Sequence, residues 1–392
     1  MCGKARSNTV TENNILVKSP LSRFSSFLVL NSLLSTGLLL IAACQPATSS
    51  HVEKTEIVPN KTQNPTETSV PVPTLQRTPP ALPDVYQASL LNPLDTPHPY
   101  INDACLYLRD KWDSHNSPPG TVVMMVKLES INKGIPLGGD VVNVTSFTKM
   151  MEELHGQQFQ AINTTQLADF LENNAKIPAR SVVLLQDNRR YADNFNKHFR
   201  PYWDSWGWPV VNAWDNKADS TDALWNENIA LEQEGWVDHQ VLGLPIDPTT
   251  VDNLSDNYFT VELQKEITTF QQHFNKQPIA IVWPSGFDNR PAEIARRLGY
   301  RLGFTSNARG PVMFNWVPLA EQMDNMRPSY APEGAVNDPL MTLPRYTPFQ
   351  VHTALDTVRV VGKEAAAYAN QNKTAEMEYY DIVCSPTDGP IP

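Results

Sequence analysis

From about residue 99 to residue 384, apolar runs of strand length alternate with segments whose apolar positions recur at spacings of three and four. Residues 121–126 (Thr-Val-Val-Met-Met-Val) read as a strand. Residues 146–154 and 164–171 read as helices, the first capped by Thr145 or Ser146. Residues 181–185 (Ser-Val-Val-Leu-Leu) form a short, almost wholly apolar run, the pattern of a strand covered on both faces of a parallel sheet. Further strands are expected at 208–214, 279–283 and 300–305, with helices at 263–274 and 291–298. After Arg345 the run Val358-Arg359-Val360-Val361 reads as a strand, 363–369 as a helix and 378–384 as a last strand or turn. No function attaches to that tail. The β-α-β-α rhythm argues for an α/β fold, a parallel sheet or barrel flanked by helices. Roughly 285 residues suit one large domain.

The first 98 residues follow other rules. Lys4, Arg6, Lys18 and Arg23 precede an interrupted apolar run that closes on Ile41-Ala42-Ala43-Cys44. A basic start, an apolar stretch and small residues at its end make an export signal, and the run is too broken for the roughly 20 apolar residues of a spanning helix. The ending resembles a bacterial lipobox, which implies a signal peptide at 1–43 and lipidation of Cys44. An ordinary signal peptide or an uncleaved anchor are the alternatives. Acyl chains would hold the protein at a membrane by roughly 0.8 kcal/mol per buried CH₂. Residues 44–98 are rich in Pro, Thr, Ser, Gln and Asn and read as a disordered spacer. The folded domain is then expected at 99–392.

The formal net charge of −11 disfavours nucleic acid, which selects clustered Lys and Arg. It also matches anionic headgroups poorly, which leaves membrane attachment to the lipid anchor. Of the four cysteines, Cys2 leaves with the signal and Cys44 is the lipid site. Cys105 and Cys384 remain, a disulfide candidate in an exported protein; two buried thiols are the alternative.

In parallel α/β folds chemistry gathers where strands end. Three such places carry polar groups: Gln186-Asp187-Asn188-Arg189-Arg190, Asp238-His239 after Val237, and Trp283-Pro284-Ser285-Gly286 after Val282. Each is weak alone, because an Asp after a strand is more often a helix cap than a base.

Together, their order resembles the polysaccharide deacetylase (NodB-homology) family, in particular its exopolysaccharide branch. The resemblance spans roughly 121–345. It rests on residues 177–188 ending in Gln186-Asp187-Asn188, on Trp283-Pro284-Ser285-Gly286 leading to Leu298-Gly299-Tyr300-Arg301-Leu302-Gly303-Phe304-Thr305, and on Leu343-Pro344-Arg345. It implies a deformed (β/α)7-type barrel. It also implies hydrolysis of glycan N-acetyl groups, assisted by a divalent, zinc-like metal. Asp187 matches the family's base and Asn188 a metal-binding Asp. His239 matches the first metal His, while Leu244 stands where the second should be. Asp238 is a substitute ligand. Trp283, Pro284 and Ser285 match a substrate-binding motif, in which Ser285 replaces a Tyr but keeps the backbone N–H. The Tyr-His that many members carry after the first strand is replaced by Val126-Lys127.

Three metal ligands have thus become a His, a neutral amide and a hydrocarbon. Two functions follow. One is a deacetylase with a rebuilt metal site. The other is a non-catalytic protein that binds a glycan or exopolysaccharide in the old cleft, or assists surface assembly, with no metal. Trp203, Trp206, Trp208, Trp214, Trp225 and Trp236 could line a sugar groove or fill the core, the commoner fate of large aromatics. No phosphate loop, Gly-x-Ser-x-Gly or His-Glu-x-x-His motif points elsewhere.

Overall fold

The computed structural model describes residues 77–134, 140–217, 219–245, 247 and 250–392. The signal segment, Cys44 and the spacer up to residue 76 lie outside them. In chain order the first elements are β1 (Thr96–His98), α1 (Ala104–Trp112), β2 (Val122–Leu128), β3 (Ser130–Asn132), β4 (Val141–Asn143), α2 (Val144–Gly156), β5 (Gln160–Ala161) and α3 (Thr164–Asn173). Then come β6 (Arg180–Asp187), α4 (Ala192–His198), α5 (Arg200–Trp206), β7 (Val210–Trp214), α6 (Asp222–Gln233) and β8 (Val237–Leu242). The last are α7 (Asp256–Phe274), β9 (Ala280–Val282), α8 (Asn289–Arg297), β10 (Leu302–Phe304), β11 (Val317–Leu319) and α9 (Pro348–Tyr379).

The main sheet runs in the order β10-β9-β8-β7-β6-β2, all parallel, with β5 beside the start of β6. A seventh stave, residues 343–346, joins its two edges. Leu343 N–H donates to the Gly303 carbonyl at 2.8 Å, and Thr305 N–H donates to the Leu343 carbonyl at 2.9 Å. On the other side Tyr346 N–H donates to Met125 O, and Lys127 N–H donates to Tyr346 O, both at 2.8 Å. This is the expected deformed (β/α)7-type barrel.

The unbroken apolar runs of β2 and β6 arise because both faces are covered. Val123, Met125, Val183, Leu185, Val211, Ala213, Val282 and Phe304 fill the inside. Met124, Val126, Val182 and Leu184 alternate outward against Phe147, Met151 and Leu154 of α2 and Val351, Val358 and Val361 of α9.

Three expectations are corrected. The tail does not form a strand at 358–361: that run lies inside the 32-residue α9. The helix is started by Thr347, Pro348 and a capping box to Gln350, and its buried positions 351, 354, 355, 358, 361, 362, 365 and 369 keep a helical period. Segment 378–384 is likewise helical, ending in a wider turn at Tyr380–Cys384. Nor does the folded body begin at residue 99. Thr96–His98 pair antiparallel with Val317–Leu319, Tyr86 stacks on Trp316, and buried Asp95 takes Arg309 at 2.9 Å and Arg327 at 2.7 Å. The apolar residues of this stretch follow no helical or strand period, and Tyr86, Ala88 and Leu91 pack on the core beside the Asp95 ion pairs. Cys105 and Cys384 are joined by a disulfide, with Cα atoms 5.4 Å apart, linking α1 to the end of the chain.

Candidate functional site at the barrel mouth

Asp187 is the last residue of β6 and is 5% exposed. It shares the inward face with Val183 and Leu185, so its carboxylate sits at the C-terminal rim of the barrel. There it meets cations. Arg345 Nη1 donates to Asp187 Oδ1 at 2.7 Å, and Arg345 Nε is held by the Thr305 carbonyl at 2.8 Å. Lys127 Nζ lies 4.0 Å from Asp187 Oδ2 and donates to Asp140 Oδ2 at 2.6 Å. Both basic residues come from the closing edge, Lys127 from β2 and Arg345 from the seventh stave.

Asn188 follows with a left-handed backbone, φ 66°, a conformation that Asn tolerates better than most residues. Its carbonyl accepts from Asn212 Nδ2 at 2.8 Å, which pins the turn leaving β6. Arg189 pairs with Asp219 at 2.6 Å. Among the described residues Arg190 donates to two backbone carbonyls, those of Arg189, at 3.2 Å, and of Glu129, and burial lowers its pKa.

His239 is elsewhere. The register pairs Asp187 with Ala213 and Ala213 with Gln240, so Gln240 shares Asp187's face and His239 points the other way. Its fully buried ring lies on Phe274 of α7, with centroids 4.5 Å apart. Both ring nitrogens are engaged, Nδ1 with Glu232 at 2.8 Å and Nε2 with Asn228 Oδ1 at 2.9 Å. Burial depresses the pKa of the ring, against the pull of Glu232. The strand-end assignment of Asp238-His239 is therefore corrected: Val237 begins β8, and the strand ends at Leu242.

Asp238 faces inward but near the start of β8, two residues short of Asp187's row. Its carboxylate accepts from Thr164 Oγ1 at 2.5 Å, Gln240 Nε2 at 2.7 Å and Lys276 Nζ at 3.0 Å. Burial pushes its pKa up, and Lys276 and Thr164 outweigh that to give a net lowering. Gln240 completes the cluster, its Oε1 accepting from the N–H groups of Ile279 and Ala280 at 2.9 Å where β9 has not yet begun to pair with β8. These polar residues knit the base of the barrel.

Trp283 packs outward among the helices, 1% exposed, with Nε1 donating to Met341 O at 2.9 Å. Pro284 and Ser285 lie beyond it, and Ser285 is exposed at the rim. Trp208, Trp214, Trp225 and Trp236 are buried, and Trp203 and Trp206 pack against the core, so the six form no groove.

A divalent cation does not suit this arrangement. Asp187 already faces two cationic groups, Asn188 brings no charge, and His239 and Asp238 lie on another face and at another level. Among the described residues no three His, Cys, Asp or Glu side chains converge as a metal site. Lys127 and Arg345 are the residues that sequence reasoning missed. Both positions were visible, Lys127 as a departure from the family pattern and Arg345 as a match to it, but nothing in the spacing said that they meet Asp187.

No protein-family model and no curated protein matches the chain. Solved structures similar to it include the Streptococcus pyogenes deacetylase PplD in complex with acetate: 17% identity, 60% of this chain, 98% of that one, TM-score 0.45. IcaB from Ammonifex degensii matches at 13% identity over 63% of this chain and all of its own, TM-score 0.45. The BpsB deacetylase domain from Bordetella bronchiseptica matches at 16% over 58% and 96%, TM-score 0.41.

Proposed function

We propose that this is an envelope lipoprotein that binds a glycan on a deacetylase-like barrel without performing metal-assisted amide hydrolysis. The observation that carries the reading is the buried Asp187–Arg345 pair at 2.7 Å. A general base needs a free lone pair turned toward water, and a metal ligand needs a site not already filled by a guanidinium. Here Arg345 holds one carboxylate oxygen, Lys127 neutralises the other from 4.0 Å, and both ring nitrogens of His239 serve the helix layer. The glycan assignment rests on the sequence resemblance over 121–345. The tether rests on the Ile41-Ala42-Ala43-Cys44 ending. Among the described residues no helix is long and apolar enough to cross a membrane.

The test uses the full chain with zinc and N-acetylated glucosamine oligosaccharides. Acetate release and oligosaccharide binding are measured together. Binding without acetate supports the reading. Acetate release that vanishes in Asp187→Ala makes the protein an enzyme and overturns it. For the tether, Cys44→Ser should move the protein from the membrane fraction to the soluble one.

A further inference from the structure

A second concavity lies at the opposite end of the barrel from Asp187. It is a cavity of about 270 Å³, bounded by the start of β2, α1, α9, the 313–316 turn and the segment at 82–86. That is close to the lower end of the roughly 300–1,000 Å³ of ligand pockets, room for one or two ring-sized groups.

Aromatic rings line part of its walls: Tyr107 stacks on Phe314 with centroids 5.8 Å apart, and Tyr86 contacts Trp316 and Tyr368 at 6.1 and 5.6 Å. Polar side chains, among them Asp84, Asn102, Lys111, Asn315 and Glu376, share the lining with them. Lys111 Nζ lies 2.8 Å from the Glu376 carboxylate, with side chains 11% and 3% exposed, and Trp112 Nε1 donates to the same carboxylate at 2.7 Å. The Tyr107 hydroxyl and the Asn102 amide also border the space, and no hydrogen bond within the described chain occupies either. Burial raises the Tyr107 pKa, which keeps the hydroxyl a donor.

We propose that this cavity is a carbohydrate seat, taking one or two residues of an uncharged glycan. Flat aromatic faces suit the C–H faces of a pyranose ring. The Lys111–Glu376 pair offers donors and an acceptor without net charge, as ring hydroxyls need. An acyl chain would fit the apolar area but leave the half-buried Tyr107 hydroxyl without a partner. The proposal gives the glycan of the preceding section a location, and it needs no chemistry at the mouth.

Titration of the full chain with chitin and cellulose tetrasaccharides, followed by tryptophan fluorescence and calorimetry, tests it, with dodecanoate as the apolar comparison. Tyr107→Phe, which removes one oxygen and keeps the ring, should weaken tetrasaccharide binding about 3- to 10-fold with an unchanged melting curve. Tyr368→Leu should weaken it further. Tetrasaccharide binding unchanged in both variants places the seat elsewhere and overturns this inference while sparing the functional reading. Dodecanoate binding without tetrasaccharide binding overturns both.

Discussion

Arg345 and Asp187 are 158 positions apart in sequence, yet their side chains meet at 2.7 Å with 0% and 7% of their surface exposed. Arg345 belongs to the stave that closes the barrel, so the ion pair ties closure to the end of β6. Removing one partner from a buried pair leaves the other charge uncompensated, a cost of about 3–5 kcal/mol. Arg345→Met is expected to lose that much in urea unfolding. Arg345→Met with Asp187→Asn should regain most of it, short of the bond to Thr305.

Glu266 of α7 is 8% exposed, and its Oε2 has no hydrogen-bond partner. Burial raises its pKa from 4.5 to about 7. The folded state therefore holds a proton that the unfolded state releases above pH 4.5. Stability from this group is complete below that pH and falls as pH climbs toward 7. Glu266→Gln should flatten the slope between pH 5 and 7 and stabilise the protein at pH 8 by about 1–3 kcal/mol, read from unfolding midpoints across pH.

The Cys105–Cys384 bond closes a loop with a sequence separation of 279. Loops of that length give disulfides their larger effects, about 2–5 kcal/mol. Cys384→Ser, or reduction of the native protein, should lower stability by that amount. Limited proteolysis should then cut first beyond Tyr379.

Gly120 and Gly362 bring α9 against the entry to β2. A Cβ on Gly362 would lie 2.7 Å from the Gly120 carbonyl oxygen, and one on Gly120 would lie 2.4 Å from the Gly362 carbonyl oxygen. Gly362→Ala is expected to cost about 1–3 kcal/mol through overpacking, measured by thermal melting. Gly235→Ala, where a Cβ would meet nothing within 4 Å, tests strain at φ 81° alone.

The barrel was legible in sequence where a strand is apolar on both faces. β2, β6 and β9 announce themselves, and Asp187 follows from the end of β6. The reading failed at β8, because Asp238, His239 and Gln240 look like a strand end. They are instead the strand itself, with Asp238 and Gln240 knitting the base and His239 buried under α6 and α7. Periodicity does not distinguish a polar residue satisfied by a neighbouring helix from one turned to solvent. It failed at 358–361 for the opposite reason: Val-Arg-Val-Val has a strand's composition, but long-range packing against β2 decides its state. Residues 77–98 were misjudged because their hold on the body comes from ion pairs and single aromatics rather than an apolar period.

The barrel mouth holds a guanidinium–carboxylate pair where a metal enzyme would hold its cation. Zinc content by mass spectrometry, after dialysis of the full chain against excess zinc and then metal-free buffer, tests it most directly. The account predicts far less than one zinc per chain, with no change in Asp187→Ala. One zinc per chain, lost in Asp187→Ala, would contradict it.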